Sequence, residues 1–91
     1  MHWRVYCLYS ETIKKYYIGT TNDLERRIAE HNTGTEQFTK RGTPWKLVGY
    51  ILCNSHEEAA RLERRLKRGK NKKYTVWYFE TRGVQEKHTG W

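Results

Sequence analysis

Residues 16–32 read YYIGTTNDLERRIAEHN, and the character of the sequence changes in the middle of that run. Tyr16 to Thr20 are aromatic and β-branched residues around one glycine, the composition of a strand. Asn22 follows, with Glu25 three residues on, which fits a capping box opening a helix from Asp23 to about Asn32. Its apolar stripe is Leu24, Ile28 and the neighbouring Ala29, and Gly34 supplies the left-handed residue that ends many helices. Upstream, WRVYCLYS at residues 3 to 10 is a second strand-forming run, separated from the first by polar Glu11, Thr12, Lys14 and Lys15. The pair reads as a β-hairpin. Downstream, WKLVGYILC from Trp45 to Cys53 reads as a third strand that pairs with the hairpin. Ser55 and Glu58 form another capping box for a helix from His56 to about Arg68, with Ala59, Leu62 and Leu66 on one stripe and Gly69 as the stop. The apolar run between Tyr74 and Phe79 is compatible with either a strand or a buried helix. The order β, β, α, β, α with tightly joined first strands points to an α+β fold, a small antiparallel sheet covered by helices rather than βαβ units.

Ninety-one residues make one domain, read as 1–82 with a loose tail over 83–91. Four Trp, seven Tyr and two Phe compensate for a modest apolar fraction, so an aromatic-rich core is expected. Eighteen Lys and Arg against ten acidic residues give a net charge of +8, and nucleic acid is the first partner such a surface suggests. The chain has no long apolar run, no signal-like start and no lipidation motif, which argues against a membrane and for a cytoplasmic location. Cys7 and Cys53 lie in apolar runs as small buried hydrophobes, and His2, His31, His56 and His88 lack structural zinc spacing.

Arg27 and His31 stand four apart on the first helix and share one side of it, beside Leu24 and Ile28. The plain reading is a solvated arginine and a helix-end histidine favoured by the macrodipole. Tyr6 and Tyr17 lie on the two hairpin strands, where cross-strand aromatic packing explains them equally well. Glu63 sits among Arg61, Arg64, Arg65, Lys67 and Arg68, next to the Leu62 and Leu66 stripe. It can pair with Lys67 on the helix surface, or hold a hard cation such as Mg²⁺, which needs only one or two carboxylates when water and phosphate complete its shell.

Together the hairpin and first helix resemble the GIY-YIG nucleases: Val5-Tyr6 for the first signature, Tyr17-Ile18-Gly19 for the second, then Thr21, Leu24, Arg27 and His31. The stretch FTKRGTPWKLVGYILC and the helix EEAARLERRLKRG look like the small stand-alone bacterial branch, related to the N-terminal domain of an excision-repair nuclease and to intron-encoded homing endonucleases. The resemblance covers residues 3 to about 80. It implies a three-stranded antiparallel sheet flanked by helices and a metal-dependent endonuclease, with DNA favoured over RNA and one Mg²⁺ or Mn²⁺ per site. By position, Tyr6 and Tyr17 match the signature tyrosines, Arg27 the helix arginine, His31 the group four residues later and Glu63 the metal ligand. A nearby cation, Arg27 and neutral His31 would favour an ionised Tyr6 as general base, with His31 as proton acceptor.

Three positions depart from the family pattern. Arg4 replaces the first signature's glycine, Thr20 stands where some relatives have a lysine, and the C-terminal asparagine of many relatives has no match, Asn71 coming too early. Lys40, Arg41, Lys46, Lys70, Lys72 and Lys73 are expected to form a basic rim for phosphate contacts. The alternative to an enzyme is a catalytically silent fold that binds nucleic acid or protein, and the sequence leaves a protein partner or a homo-oligomer open.

Overall fold

Four consecutive residues of the first strand, Val5 to Leu8, are buried, which requires a strand covered on both faces and flanked on both edges. In a computed structural model, which describes residues 2–34, 39–69 and 72–83, that strand, β1 (Trp3–Ser10), is the middle of a three-stranded antiparallel sheet. β2 (Lys15–Thr21) pairs on one side and β3 (Trp45–Cys53) on the other, giving the order β2-β1-β3. The hairpin turn closes through Lys14, at a φ of 56°, whose ammonium pairs with Glu11 at 2.8 Å. A bulge beside Cys7 and Leu8 shifts the register against β3.

Helix α1 (Leu24–Thr33) covers one face with the short 3₁₀ turn Lys40–Gly42, while α2 (His56–Arg68) and α3 (Lys72–Arg82) cover the other. Val5 and Cys7 pack with Ala59 and Leu66 of α2 and Phe79 of α3. Tyr6 and Leu8 pack with Leu24 and Ile28 of α1, and with Trp45 and Tyr50 of β3. Burying each large side chain contributes roughly 1.5–3 kcal/mol, so both helical layers are needed to hold so short a chain.

The α+β reading, the hairpin and the bounds of β1, β3 and α2 agree with the sequence analysis; three local expectations change, and one that was open is decided. The cap of α1 is Asp23, not Asn22: strand pairing runs to Thr21, Thr21 Oγ1 accepts from the Asp23 amide, and the Asp23 carboxylate accepts from Arg26 N at 3.2 Å. The buried residues of α1 are Leu24, Ile28 and His31, whereas Ala29 is exposed. At α2 Ser55 caps Glu58 N as expected, but the Glu58 carboxylate reaches the amide of Asn54 instead of Ser55. The run after Tyr74 is helical: Thr75 and Phe79, four apart, go into the core, and Tyr74 and Trp77 stay near half exposed. Gly34 does end α1 in the left-handed conformation, at φ 80°. Among the described residues no helix is long and apolar enough to cross a membrane. The expected tail over 83–91 lies outside the described residues except for Gly83.

Candidate active site

Tyr6 projects from the central strand on the α1 face, opposite Gly19 of β2. A Cβ at Gly19 would fall on the Tyr6 hydroxyl and 2.5 Å from its Cζ. The glycine of the second tyrosine motif is therefore a passage: without a side chain there, the phenol lies across the edge strand. β2 is one of the two edge strands of the sheet, so groups from both helical layers can meet around it.

From the α1 layer comes His31, which is fully buried instead of capping a helix end in solvent. Its Nε2 lies 3.0 Å from the Tyr6 hydroxyl and its Nδ1 2.7 Å from Thr39 Oγ1. Trp45 Nε1 in turn donates to the Thr39 carbonyl at 2.7 Å. With Tyr6 a neutral phenol donating to Nε2, Nδ1 carries the ring proton and donates to Thr39. Burial raises the Tyr6 pKa above the usual tyrosine range; a hydrogen bond from Arg27 opposes this, and the Tyr17 and Glu63 charges add to the rise. The ionised Tyr6 implied by the resemblance is thus not the resting state of the protein by itself, because desolvation outweighs the guanidinium. Arg27 also pairs with Glu30 at 3.1 Å. Tyr17, half-buried, sets its ring edge-on to His31 with centroids 4.9 Å apart, and lies 6.3 Å from the Tyr6 ring.

From the α2 layer comes Glu63. Thr20, on the opposite side of β2 from the phenol, donates a short hydrogen bond to Oε1, and Lys67 Nζ pairs with Oε2 at 2.9 Å. The plain i,i+4 pair is therefore made, yet the same carboxylate acts on Tyr6 electrostatically. Lys67 Nζ also stands 5.8 Å from the centre of the Tyr17 ring. Tyr6, Tyr17, Arg27, His31 and Glu63 converge around the β2 edge, three of them through contacts with Tyr6 itself.

Among the described residues no group of three or more His, Cys, Asp or Glu side chains gathers as a metal cage. Glu63 is a single, one-quarter-exposed carboxylate whose ammonium partner is on a half-exposed, movable stem. That donor set fits Mg²⁺ or Mn²⁺, hard cations that take their other oxygens from water and phosphate, and does not fit zinc.

The five rim residues that the structure describes lie on three different elements. Lys40 and Arg41 are exposed on the turn that follows Thr39, and Lys46 is exposed on β3 opposite Tyr9. Lys72 and Lys73 border a groove with Tyr16, Val76 and Glu80 on the α3 side, and Lys70, like Asn71, lies outside the described residues. Arg4, at the first signature's glycine position, stacks 5.2 Å from the Tyr50 ring centre. Sequence reasoning missed Thr39 and Trp45 as supports of His31, because nothing local marks a threonine eight residues beyond a histidine. It noted Thr20 only as a departure.

The model of the GIY-YIG catalytic domain matches residues 2–75 of this chain. A UPF0213 protein of Streptococcus pyogenes is 32% identical over 76 residues, covering 82% of this chain and 83% of that protein. Another, from Halobacterium salinarum, is 43% identical over 53 residues, 57% of this chain and 69% of its own. Among solved structures, the solution NMR structure of a UPF0213 protein from Bacillus halodurans is similar with a TM-score of 0.56 at 31% identity, covering 91% of this chain and 88% of that one.

Proposed function

We propose that this chain, which belongs to the GIY-YIG catalytic-domain family, is a divalent-metal-dependent endonuclease that hydrolyses phosphodiester bonds in nucleic acid, DNA before RNA. The observation that carries this reading is the buried hydrogen bond between Tyr6 and His31 Nε2, 3.0 Å long, with Arg27 beside the phenol. A buried tyrosine of raised pKa is a poor standing base, but a good relay. As water gives a proton to the Tyr6 oxygen, the phenol proton passes to His31 Nε2, and the imidazolium so formed keeps its Nδ1 proton on Thr39. The hydroxide forms the new P–O bond while the bond to the leaving oxygen breaks, and that oxygen is protonated from solvent. Arg27 faces the charge that builds on the phosphoryl oxygens, and its planar fork suits two of them. Glu63 would hold the cation, which when bound supplies Lewis-acid stabilisation of phosphate charge. Lys67 would then release Oε2, its present partner.

The near-complete burial of Tyr6 favours a second assignment within the same reading: half-buried Tyr17 touches the water, and Tyr6 with His31 stands behind it. The deciding experiment is cleavage of end-labelled single-stranded and duplex DNA, with an RNA control, in Mg²⁺ or Mn²⁺. Glu63→Gln is expected to bind like the parent and to cut at least about a hundredfold more slowly, the scale on which a lost transition-state charge contact acts. Binding without metal-dependent cutting by the parent on every substrate would replace the nuclease with a silent binding fold.

A further inference from the structure

The flank of α2 turned away from Glu63 carries Arg61, Arg64, Arg65 and Arg68, at the three- and four-residue spacing that keeps side chains on one side of a helix. All four are exposed. With Ile51 of β3 and Tyr78 of α3 they line a cleft of about 660 Å³, in which Glu58 is the one carboxylate among the described residues. Arg65 is engaged, donating to the Tyr78 hydroxyl at 3.3 Å with its guanidinium 5.7 Å from the ring centre. Arg61, Arg64 and Arg68 have no ion-pair partner among the described residues.

Aromatic surface adjoins this charge. From the Tyr78 wall a row of rings continues along α3, with Tyr74 6.2 Å from Tyr78 and Trp77 5.8 Å from Tyr74. Tyr74 and Trp77 are 48% and 47% exposed, the largest rings left so open in the described part of the chain. Neither ring belongs to the core, to which α3 gives Thr75, Phe79 and the partly buried Tyr78. Unpartnered guanidiniums beside half-exposed rings match the two chemistries of a strand with unpaired bases: phosphates for the arginines and base faces for the rings. A duplex offers the phosphates but keeps its base faces stacked inside, so it can use only half of this surface.

We propose that this cleft and its aromatic row form a second nucleic-acid site, which holds an unpaired strand with phosphates on Arg61, Arg64 and Arg68 and bases on Tyr74 and Trp77. The site is separate from the Tyr6–Glu63 centre, on the other flank of the same helix. It rests on the nuclease reading only in taking the strand to be part of the same substrate. The exposed outer side of α2, from Lys67 past Arg64 to Arg61, is a basic path between the two.

The test is binding of a labelled oligothymidylate and of a blunt duplex of matched length to the full chain in EDTA, where no cutting occurs. The triple variant Arg61→Gln, Arg64→Gln, Arg68→Gln is expected to lose roughly tenfold or more in oligothymidylate affinity. Its log–log salt slope should fall by about 2, at about 0.7 per single-strand phosphate contact. Trp77→Ala is expected to lose roughly tenfold for oligothymidylate with the salt slope and duplex affinity unchanged, the mark of a lost stacking platform. All four positions are on the surface, and circular dichroism of each variant should match the parent. Parent-like affinity in both variants overturns the proposal, as does equal loss for single strand and duplex. Displacement of the oligonucleotide by a polyglutamate peptide of matched charge assigns the cleft to acidic protein and also overturns it. Parent cleavage in Mg²⁺ is scored separately: a chain that binds through the cleft but never cuts refutes the nuclease and spares this site, and one that cuts while both variants bind normally refutes this site alone.

Discussion

On one face of the sheet Val5 and Cys7 meet Ala59, Leu66 and Phe79, with the buried Thr75 of α3 beside this apolar cluster; on the other, Tyr6 from the same strand meets Ile28, Trp45 and a fully buried histidine. Both faces exclude water, but the first uses that exclusion chiefly for packing. The second spends part of its interior on a hydrogen-bonded series, Tyr6 to His31 to Thr39, with Trp45 fixing the Thr39 carbonyl. A buried polar series is tolerable because each of these atoms has a partner, and each becomes costly when a partner is lost. The difference suggests that the apolar face holds the sheet while the polar face aims it.

Gly19→Ala tests that contrast most severely, since the added methyl meets the Tyr6 ring while leaving the apolar face untouched. Overpacking of this kind costs about 1–3 kcal/mol, and cleavage is expected to vanish because the phenol must leave its place beside His31. A stable and active variant would show that the phenol does not need the passage. The next effect separates the members of the polar series. Tyr6→Phe should slow cleavage by roughly 10²–10⁴-fold, the usual contribution of a proton-transfer group, while Thr39→Val, two bonds further from the reaction, should slow it about tenfold and destabilise by about 1–3 kcal/mol through the orphaned Nδ1. Single-turnover rates of these two beside Tyr17→Phe rank the roles, and a larger defect for Tyr17→Phe than for Tyr6→Phe gives the water to Tyr17.

The smallest effect compares the two faces by pH. Burial raises Tyr6 on one face, and on the other pushes the Cys7 thiol from 9.0 up to about 12. A group whose folded pKa is raised keeps its proton while the unfolded chain releases it. Its stabilisation is therefore complete below the unfolded pKa and lost as the pH climbs through the folded one. For Cys7 that loss runs from about pH 9 to about 12, and for Tyr6 it begins near pH 10. Urea unfolding at rising pH should show stability declining in that window for the parent, and declining less for Cys7→Ala and for Tyr6→Phe. An identical decline in both variants would mean that neither buried group governs alkaline unfolding.

Much of this was legible in one dimension. Trp45–Cys53 and His56–Arg68 have the bounds their apolar patterns and caps predicted, because a strand between turn residues and a helix between Ser55 and Gly69 are specified by neighbours. The tyrosine pair, Arg27, His31 and Glu63 were legible as a constellation only through the resemblance, since each alone has an ordinary explanation. The cap of α1 was misplaced by one residue because two adjacent Asx residues both qualify and strand pairing at Thr21 chose between them. The run after Tyr74 could not be assigned, because its apolar residues suit either period until the sheet offers a face rather than an edge.

By itself, then, the sequence determined every strand and helix before Gly69, the antiparallel hairpin, the basic character and the residue types of the site, all of which depend on spacing along the chain. Only the tertiary structure decided that Gly19 admits the Tyr6 phenol, that Thr39 holds His31, that Thr20 of β2 donates to Glu63, and that the arginines of α2 face a cleft away from it. These contacts join residues on different elements, and their geometry is set by how two helical layers pack on one sheet, a property that no local pattern contains.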